Sequence, residues 1–213
     1  MSKLAFIFPG QGAQKAGMGK DFYENSEAAR SFFDQAQKIL DFDLKEMCFG
    51  EHEELNLTEY TQPCMVSVCL AIVQELKKRG INPDITAGLS LGEYAAVAAA
   101  GGMNELDAIK LVRRRGILMQ STVPAGEGAM AAVLGLDAKK IEEILESFEN
   151  VWIANYNCPG QIVITGLTNE VQQASLALKE AGAKRVVELK VSGPFHSLLL
   201  KPAGEALLKE MES

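Results

Sequence analysis

A serine between two glycines constrains the fold of this chain more than any other feature of its sequence. Residues 88–92 read Gly-Leu-Ser-Leu-Gly, after a short apolar run at 85–87 and before a helix-forming run at 93–100. Such a strand-to-helix turn is typical of a nucleophile elbow, in which small flanking residues permit a sharp turn that exposes the serine hydroxyl. The stretch predicts an α/β fold, with Ser90 as a candidate nucleophile and the Leu91 N–H as a candidate oxyanion donor at the helix start.

A glycine-rich loop follows the first apolar run of the chain. Residues 4–8 predict a buried first strand, and residues 9–14 after it read Pro-Gly-Gln-Gly-Ala-Gln. The loop does not fit a phosphate-binding fingerprint, because Lys15 stands where a dinucleotide-binding motif has its third glycine. Since ligands of α/β sheets bind at the carboxyl ends of strands, we expect this loop to bring backbone amides close to a ligand.

Composition argues against several classes of function. The chain has 213 residues, 47% of them hydrophobic, which suffices for one large or two small globular domains. A net charge of −7 argues against nucleic acid as the main ligand. Four cysteines without a C-x-x-C pair and only two histidines offer no plausible zinc site, so no metal is expected. The apolar runs are too short for a signal peptide or a membrane span, which favours a cytoplasmic protein.

An arginine shares a face with apolar residues in the helix predicted from Asn104, its N-cap, to about residue 121. The shared face carries Ala108, Val112, Arg115 and Met119, which are spaced by four, three and four residues. Arg113 and Arg114 are predicted to point elsewhere. Because an inward charge is costly unless it is paired, Arg115 is either half of a buried ion pair or a receptor for a carboxylate or phosphate. The pattern leaves these two alternatives equal.

The second half of the chain consists of short alternating elements. Strands are predicted at 130–136, 151–157, 161–166 and 185–191, with helices at 138–148 and 169–181. The order β-α-β-β-α-β is that of a ferredoxin-like unit. We therefore predict a ferredoxin-like subdomain at 126–191, inserted into an α/β-hydrolase-like subdomain that consists of 1–125 and 192–213. The basic side chains of Lys184, Arg185 and Lys190 could meet an anionic ligand or an acidic partner protein.

A serine nucleophile needs a neighbouring base, and the chain has two histidines. His52 lies in an acidic stretch, where a solvated surface position is expected. His196 lies in the Gly-Pro-Phe-His-Ser stretch at 193–197, where a rigid proline and an aromatic ring suit a positioned base. The elbow serine and the order of serine before histidine favour His196 as the base.

Five motifs together resemble one family. They are Pro-Gly-Gln-Gly at 9–12, Gly-Leu-Ser-Leu-Gly-Glu-Tyr at 88–94, Arg-Gly at 115–116 with Met-Gln at 119–120, Asn157 with Pro-Gly-Gln at 159–161, and Gly-Pro-Phe-His-Ser at 193–197. In this order, and over the whole chain, they are similar to the malonyl-CoA:acyl-carrier-protein transacylases, the acyltransferases of fatty acid synthesis.

The resemblance implies a role for each matching residue. Ser90 would attack the malonyl thioester with His196 as its base, while the backbone amides of Gln11 and Leu91 would hold the oxyanion. Arg115 would receive the free malonyl carboxylate through two parallel hydrogen bonds. Further substrate-binding residues implied in this way are Gln62, Met119 and Phe195, the last as the bulky form of its motif found with malonyl substrates. Malonyl-CoA is then the substrate and acyl carrier protein the partner, with no cofactor and a monomeric enzyme.

The sequence departs from the family at two points. Leu89 stands where the family usually has a histidine, which puts in doubt a role for that side chain near the carboxylate. Family members also continue past residue 213, so we expect this chain to be a fragment that lacks the group orienting His196 and acts poorly alone. The alternatives to this reading are a serine esterase or thioesterase on a similar scaffold, an acyltransferase of polyketide synthesis, and a non-catalytic carrier-binding module.

Overall fold

The computed structural model describes residues 3–189, 191 and 193–212. This part of the chain has the predicted α/β class and divides into two compact units between Ile117 and Leu118. None of the described helices combines the length and the apolar character that a bilayer crossing requires.

The first unit combines helices with a short parallel sheet. Its elements are β1 (Ala5–Phe8), α1 (Lys20–Asn25), α2 (Glu27–Ile39), α3 (Leu44–Phe49), a 3₁₀ turn (Glu53–Asn56), α4 (Thr58–Lys78), β2 (Ile85–Gly88), α5 (Gly92–Ala99) and α6 (Glu105–Thr122), which continues into the second unit. α2 packs on α4, and the core they share buries Phe33 and Leu70 completely. The side-chain oxygen of Asn104 accepts hydrogen bonds from the first turn of α6, so this predicted N-cap is confirmed.

The strand predicted at 4–8 forms, but the prediction that it is buried is wrong. β1 pairs in parallel with β2, and within the described residues the two make a sheet of two strands. Ile7 is 79% exposed, whereas Phe8 at the strand end is buried. An apolar run of four or five residues indicates a strand with two covered faces, and here the described part of the chain leaves most of β1 uncovered.

The second unit contains one antiparallel sheet. Its elements are β3 (Gly128–Leu134), α7 (Ala138–Leu145), β4 (Val151–Cys158), β5 (Gln161–Leu167), α8 (Thr168–Glu180), β6 (Arg185–Glu188), a 3₁₀ turn (Leu198–Leu200) and α9 (Lys201–Met211). The sheet order is β4-β5-β3-β6, and every pair in it is antiparallel. The predicted order β-α-β-β-α-β is confirmed. β6 ends before the predicted limit of 191, and the predicted basic residue Lys190 lies outside the described residues.

The unit boundary differs from the predicted subdomain boundaries. Residues 118–125 and the described part of 192–213 group with the second unit, although the prediction placed them in the larger subdomain. The physical reason is one apolar cluster, in which Met119 at the end of α6 and Ala203 of α9 pack with Met130 of β3 and Val163 of β5. The subdomain assignment itself stays a prediction.

Candidate active site

The turn that carries Ser90 is closed by backbone contacts that only glycine permits. Ser90 lies between the end of β2 and the start of α5, with φ at 51°. A Cβ on Gly88 would lie 2.1 Å from the backbone of Gly92, and one on Gly92 would lie 2.4 Å from the carbonyl oxygen of Phe8. A non-glycine residue at positive φ costs roughly 1–3 kcal/mol and persists only where the surroundings enforce it. The turn therefore has the geometry of a nucleophile elbow.

The loop after β1 lies against this elbow. The parallel pairing of β1 with β2 ends both strands side by side. A Cβ on Gly10 would lie 2.9 Å from the carbonyl oxygen of Leu89, so the adjoining Gln11 is placed next to the elbow. Among the described residues, no backbone carbonyl accepts a hydrogen bond from the N–H of Gln11 or of Leu91. Both amides can therefore donate to an oxyanion.

Side-chain hydrogen bonds fix the same loop. The Gln11 Nε2 donates to Thr58 Oγ1 at the start of α4, at 3.3 Å. The Gln14 side chain accepts from the Gly12 N–H at 2.8 Å and donates to Asn56 Oδ1 at 3.1 Å. These bonds hold the backbone of the loop in one arrangement, as a preorganised oxyanion site requires.

Arg115 lies on α6 with an aromatic ring beside it. Its guanidinium carbon lies 5.5 Å from the centre of the Tyr94 ring. Burial lowers the pKa of Arg115, and the nearby Tyr94 and Glu93 side chains offset part of this effect. Within the described residues no carboxylate lies in ion-pair distance of Arg115. Of the two alternatives left by the sequence, this arrangement favours an anion receptor, because a half-buried cation with no carboxylate at ion-pair distance gains from binding one.

The ion pair on α6 is made instead by Arg113, which the helical pattern predicted to point away from the apolar face. Arg113 is 8% exposed. Its Nε and Nη2 donate to the two carboxylate oxygens of Asp41 at 2.9 and 3.0 Å, and the Asp41 pKa is lowered by this pairing. The helical pattern missed this pair because it identifies only the apolar face of a helix. A second face of α6 packs on polar and aromatic side chains, and Arg113 lies there.

Gln62 lies on the first turns of α4 and is fully buried. The residue after it, Pro63, stands inside the helix and has no N–H to donate to the carbonyl of Glu59. That carbonyl accepts a hydrogen bond from Arg113 Nη1 at 2.7 Å. Pro63 was therefore the sequence signal for Arg113. A proline inside a helix leaves a carbonyl without its usual N–H donor, so a side-chain donor is expected nearby.

The turn that carries His196 is held by side-chain packing. His196 has φ at 61° and is exposed, whereas the three residues before it are buried. A Cβ on Gly128 would lie 2.2 Å from the ring of Pro194, so the proline packs directly on β3. Ser197 Oγ donates to the Pro194 carbonyl at 2.7 Å and closes the turn. The imidazole is thus presented at the surface of the second unit by a firmly packed loop.

Two predicted substrate-binding residues lie in the apolar core of the second unit. Phe195 and Met119 are 9% and 8% exposed and belong to one cluster. Their substrate contacts stay a prediction, as does that of Gln62. Leu89 is 57% exposed at the elbow. His52 is partly exposed, as its acidic surroundings suggested, and its Nε2 lies 3.0 Å from a Glu46 carboxylate oxygen.

Positive φ angles single out both predicted catalytic residues. Ser90 and His196 are the non-glycine residues with positive φ among all those that the structure describes. The motifs and the scarcity of histidine predict these two residues without any information on backbone conformation. Their strained backbone is independent support, because such strain concentrates at functional sites.

Comparisons with known proteins identify the family. Residues 5–213 match the acyl transferase domain. The chain is 49% identical to the malonyl CoA-acyl carrier protein transacylase of Bacillus subtilis over 100% of its own length and 69% of that protein. It is 48% identical to the protein of the same name from Staphylococcus aureus, over 94% of its length and 66% of that relative.

Solved structures agree with this result. The malonyl CoA-acyl carrier protein transacylase of Clostridium perfringens matches with a TM-score of 0.92 and 43% identity, over 99% of this chain and 68% of that one. A malonyl-transacylase in complex with a type II polyketide acyl carrier protein matches with a TM-score of 0.94 and 40% identity, over 99% of this chain and 70% of that one. The chain therefore belongs to the acyl transferase family, among the malonyl-CoA:acyl-carrier-protein transacylases, and the family and enzyme class that its five motifs predict are confirmed.

Proposed function

We propose that this protein transfers a malonyl group from coenzyme A to the phosphopantetheine thiol of acyl carrier protein, in fatty acid synthesis, through an ester on Ser90. The observation that carries the proposal is the pair of enforced positive φ angles at Ser90 and His196, within the motifs that match the family. The names of the relatives support both substrates. Malonyl-CoA enters as a substrate, and no cofactor takes part.

In the first half-reaction His196 takes the proton of the Ser90 hydroxyl as its oxygen attacks the thioester carbonyl. The N–H groups of Gln11 and Leu91 donate to the oxygen that becomes negative, which lowers the barrier. When the carbon–sulfur bond breaks, His196 returns the proton to the sulfur of coenzyme A. The malonyl ester on Ser90 remains.

The second half-reaction reverses these steps with another thiol. His196 takes the proton of the carrier thiol, and the sulfur attacks the malonyl ester. The Ser90 oxygen leaves and recovers the proton. Both half-reactions therefore use the same serine and histidine. Because coenzyme A leaves before the carrier thiol reacts, ping-pong kinetics are expected.

Arg115 gives the reaction its selectivity. Its guanidinium would bind the free malonyl carboxylate in a bidentate pair, with the Tyr94 ring beside it. Acetyl groups lack this carboxylate and gain nothing from the arginine. The absence of an ion-pair partner for Arg115 within the described residues supports this role.

We also propose the subdomain arrangement expected from the sequence, a ferredoxin-like part inserted into an α/β-hydrolase-like part. The sheet order β4-β5-β3-β6 supports the first, and the parallel pair β1–β2 with the elbow supports the second. The cytoplasmic location and the monomeric state stay predictions. The match to a polyketide carrier complex supports polyketide synthesis as the second candidate process for the same transfer chemistry.

Intact-protein mass spectrometry tests the proposal. After mixing with malonyl-CoA, we expect a malonyl adduct that peptide mapping places on Ser90 and that disappears when carrier protein bearing phosphopantetheine is added. The Ser90→Ala variant is expected to form no adduct. Carrier protein without phosphopantetheine is the matched control. Release of free malonate at the same rate with either carrier would show a hydrolase instead.

A further inference from the structure

We infer that Arg113 is a positioning residue that fixes the rotation and register of α6 and thereby aims Arg115 at the malonyl carboxylate. The inference rests on the proposed role of Arg115. It concerns a residue that lies two positions earlier on the same helix and that the reaction itself does not use.

The Arg113 guanidinium makes contacts through all three of its nitrogens and has two aromatic rings beside it. Beyond its two bonds to Asp41, its Nη1 donates to the backbone carbonyl of Glu59 at 2.7 Å and lies 3.2 Å from the Glu59 carboxylate. The Phe42 and Tyr60 rings lie 5.1 and 4.9 Å from its guanidinium carbon. A planar group with this many directed contacts has one permitted position.

One of these contacts exists because of a proline. The Glu59 carbonyl would normally accept the N–H of the residue four positions later, which is Pro63 and has none. Arg113 fills this gap from another helix. The bond therefore ties α6 to a defined turn of α4, and neither helix can slide by a residue without leaving the Glu59 carbonyl without this donor.

A second close contact ties α6 to the same turn. A Cβ on Gly116 would lie 2.7 Å from Glu59 Cα and 2.8 Å from the Thr58 carbonyl oxygen. Arg113 and Gly116 are three residues apart and face the same side of α6. Thr58 also holds the Gln11 side chain, so the turn that receives α6 is the one that fixes the oxyanion loop.

The geometry of a helix transmits this constraint to Arg115. Two residues along an α-helix turn the side chain by about 200° and advance it by about 3 Å. Arg115 therefore leaves α6 on a different side, and it has the Tyr94 ring beside it but no carboxylate partner within the described residues. Since Tyr94 and Glu93, which interact with Arg115, belong to α5, the position of Arg115 relative to them depends on how α6 is held.

A purely stabilising role does not explain this cluster well. The Arg113 charge is desolvated while that of Asp41 is mostly exposed, so the cost of desolvating the arginine offsets part of the attraction between them. Directed contacts are instead suited to fixing one geometry. For a reacting group, a displacement of about 1 Å can cost on the order of 10²-fold in rate.

The test compares selectivity, measured as the ratio of kcat/KM for malonyl-CoA to that for acetyl-CoA. Arg113→Lys keeps the charge but loses the bidentate fork, and Asp41→Asn is a milder change at a side chain that is 66% exposed. We expect each to lower the ratio, Arg113→Lys by about tenfold. Lys110→Gln is the control, since Lys110 is on the same helix and pairs with Asp107 at the surface. It should leave the ratio unchanged.

A double variant separates positioning from stability. In the Arg115→Ala background, Arg113→Lys should change the ratio no further, because the group that it aims is gone. An unchanged ratio in folded single variants overturns the inference, as does an equal loss in the Arg115→Ala background or the loss of folding in every variant. If Arg115→Ala alone leaves the ratio unchanged, the proposed function of Arg115 fails, which is a different result.

Discussion

The turns that carry Ser90 and His196 reach the same kind of backbone conformation by different means. At Ser90 the turn is enforced by backbone atoms, because Gly88 and Gly92 approach the main chain too closely for any side chain. At His196 it is enforced by side chains, because Pro194 and Phe195 anchor the loop on the sheet of the second unit. Similar positive φ angles are thus maintained by two structures with different tolerance to substitution.

This difference predicts where substitutions are tolerated. Main-chain atoms of a strand and a helix cannot move without loss of their hydrogen bonds, so the Ser90 turn should admit no side chain at its glycines. Side chains can change rotamer or repack at moderate cost, so substitutions at the His196 turn should lower the stability by smaller amounts. The following variants test this difference, beginning with the largest effect.

Gly88→Ala should abolish folding of the first unit or destabilise it by more than about 4 kcal/mol. Its Cβ would lie 2.1 Å from the backbone of Gly92, where neither partner can move away. Urea unfolding followed by circular dichroism measures the effect. Gly204→Ala is the matched control, because a Cβ there meets nothing within 4 Å in helix α9. A Gly88→Ala protein as stable as this control would show that the turn is not enforced by its backbone.

His196→Ala should lower kcat by about 10²–10⁴-fold, the usual contribution of a general base, while thermal unfolding changes little. Its side chain is exposed, and the residues that hold the loop stay in place. Single-turnover acylation of Ser90 by malonyl-CoA measures the effect. The idea that His196 is the base is refuted if acylation proceeds at the normal rate. A large loss of stability would show instead that the imidazole holds the turn.

The same contrast explains which parts of the structure were predictable. The elbow, the cap at Asn104 and the strand order of the second unit follow from local rules of spacing, capping and alternation, and the structure has all three. The exposure of β1 was not predictable, because burial depends on which elements cover a strand rather than on its own residues.

The role of Arg113 was missed for a related reason. Its partners Asp41 and Glu59 come from distant parts of the sequence, and a helical stripe reports only which residues share a face. The ion pair that the sequence left open as one of two alternatives for Arg115 is made by Arg113 instead. Positions 113–115 are all arginine, so the role of each can be assigned only when its neighbours in the structure are known.

Gly128→Ala should have an intermediate effect, a loss of about 1–3 kcal/mol, as is typical of overpacking against a side chain. The added Cβ would meet the Pro194 ring at 2.2 Å, and the loop can shift outward because its far end is exposed. The shift should also displace His196, so kcat falls more than stability suggests. Unfolding and acylation rates should be measured on the same samples. A loss of stability as large as that of Gly88→Ala would remove the distinction between the two turns.

The smallest expected effect is a gain in stability. Glycine adopts positive φ without the steric cost that a side chain pays, so Ser90→Gly and His196→Gly should each stabilise the protein by about 1 kcal/mol while abolishing transfer. Both residues sit at φ near 50–60°, so the two gains should be similar although their turns are built differently. The matching alanine variants serve as controls, because they remove the same functional groups but keep the strain. If each glycine variant unfolds at the same urea concentration as its alanine counterpart, the backbone at that residue stores no strain.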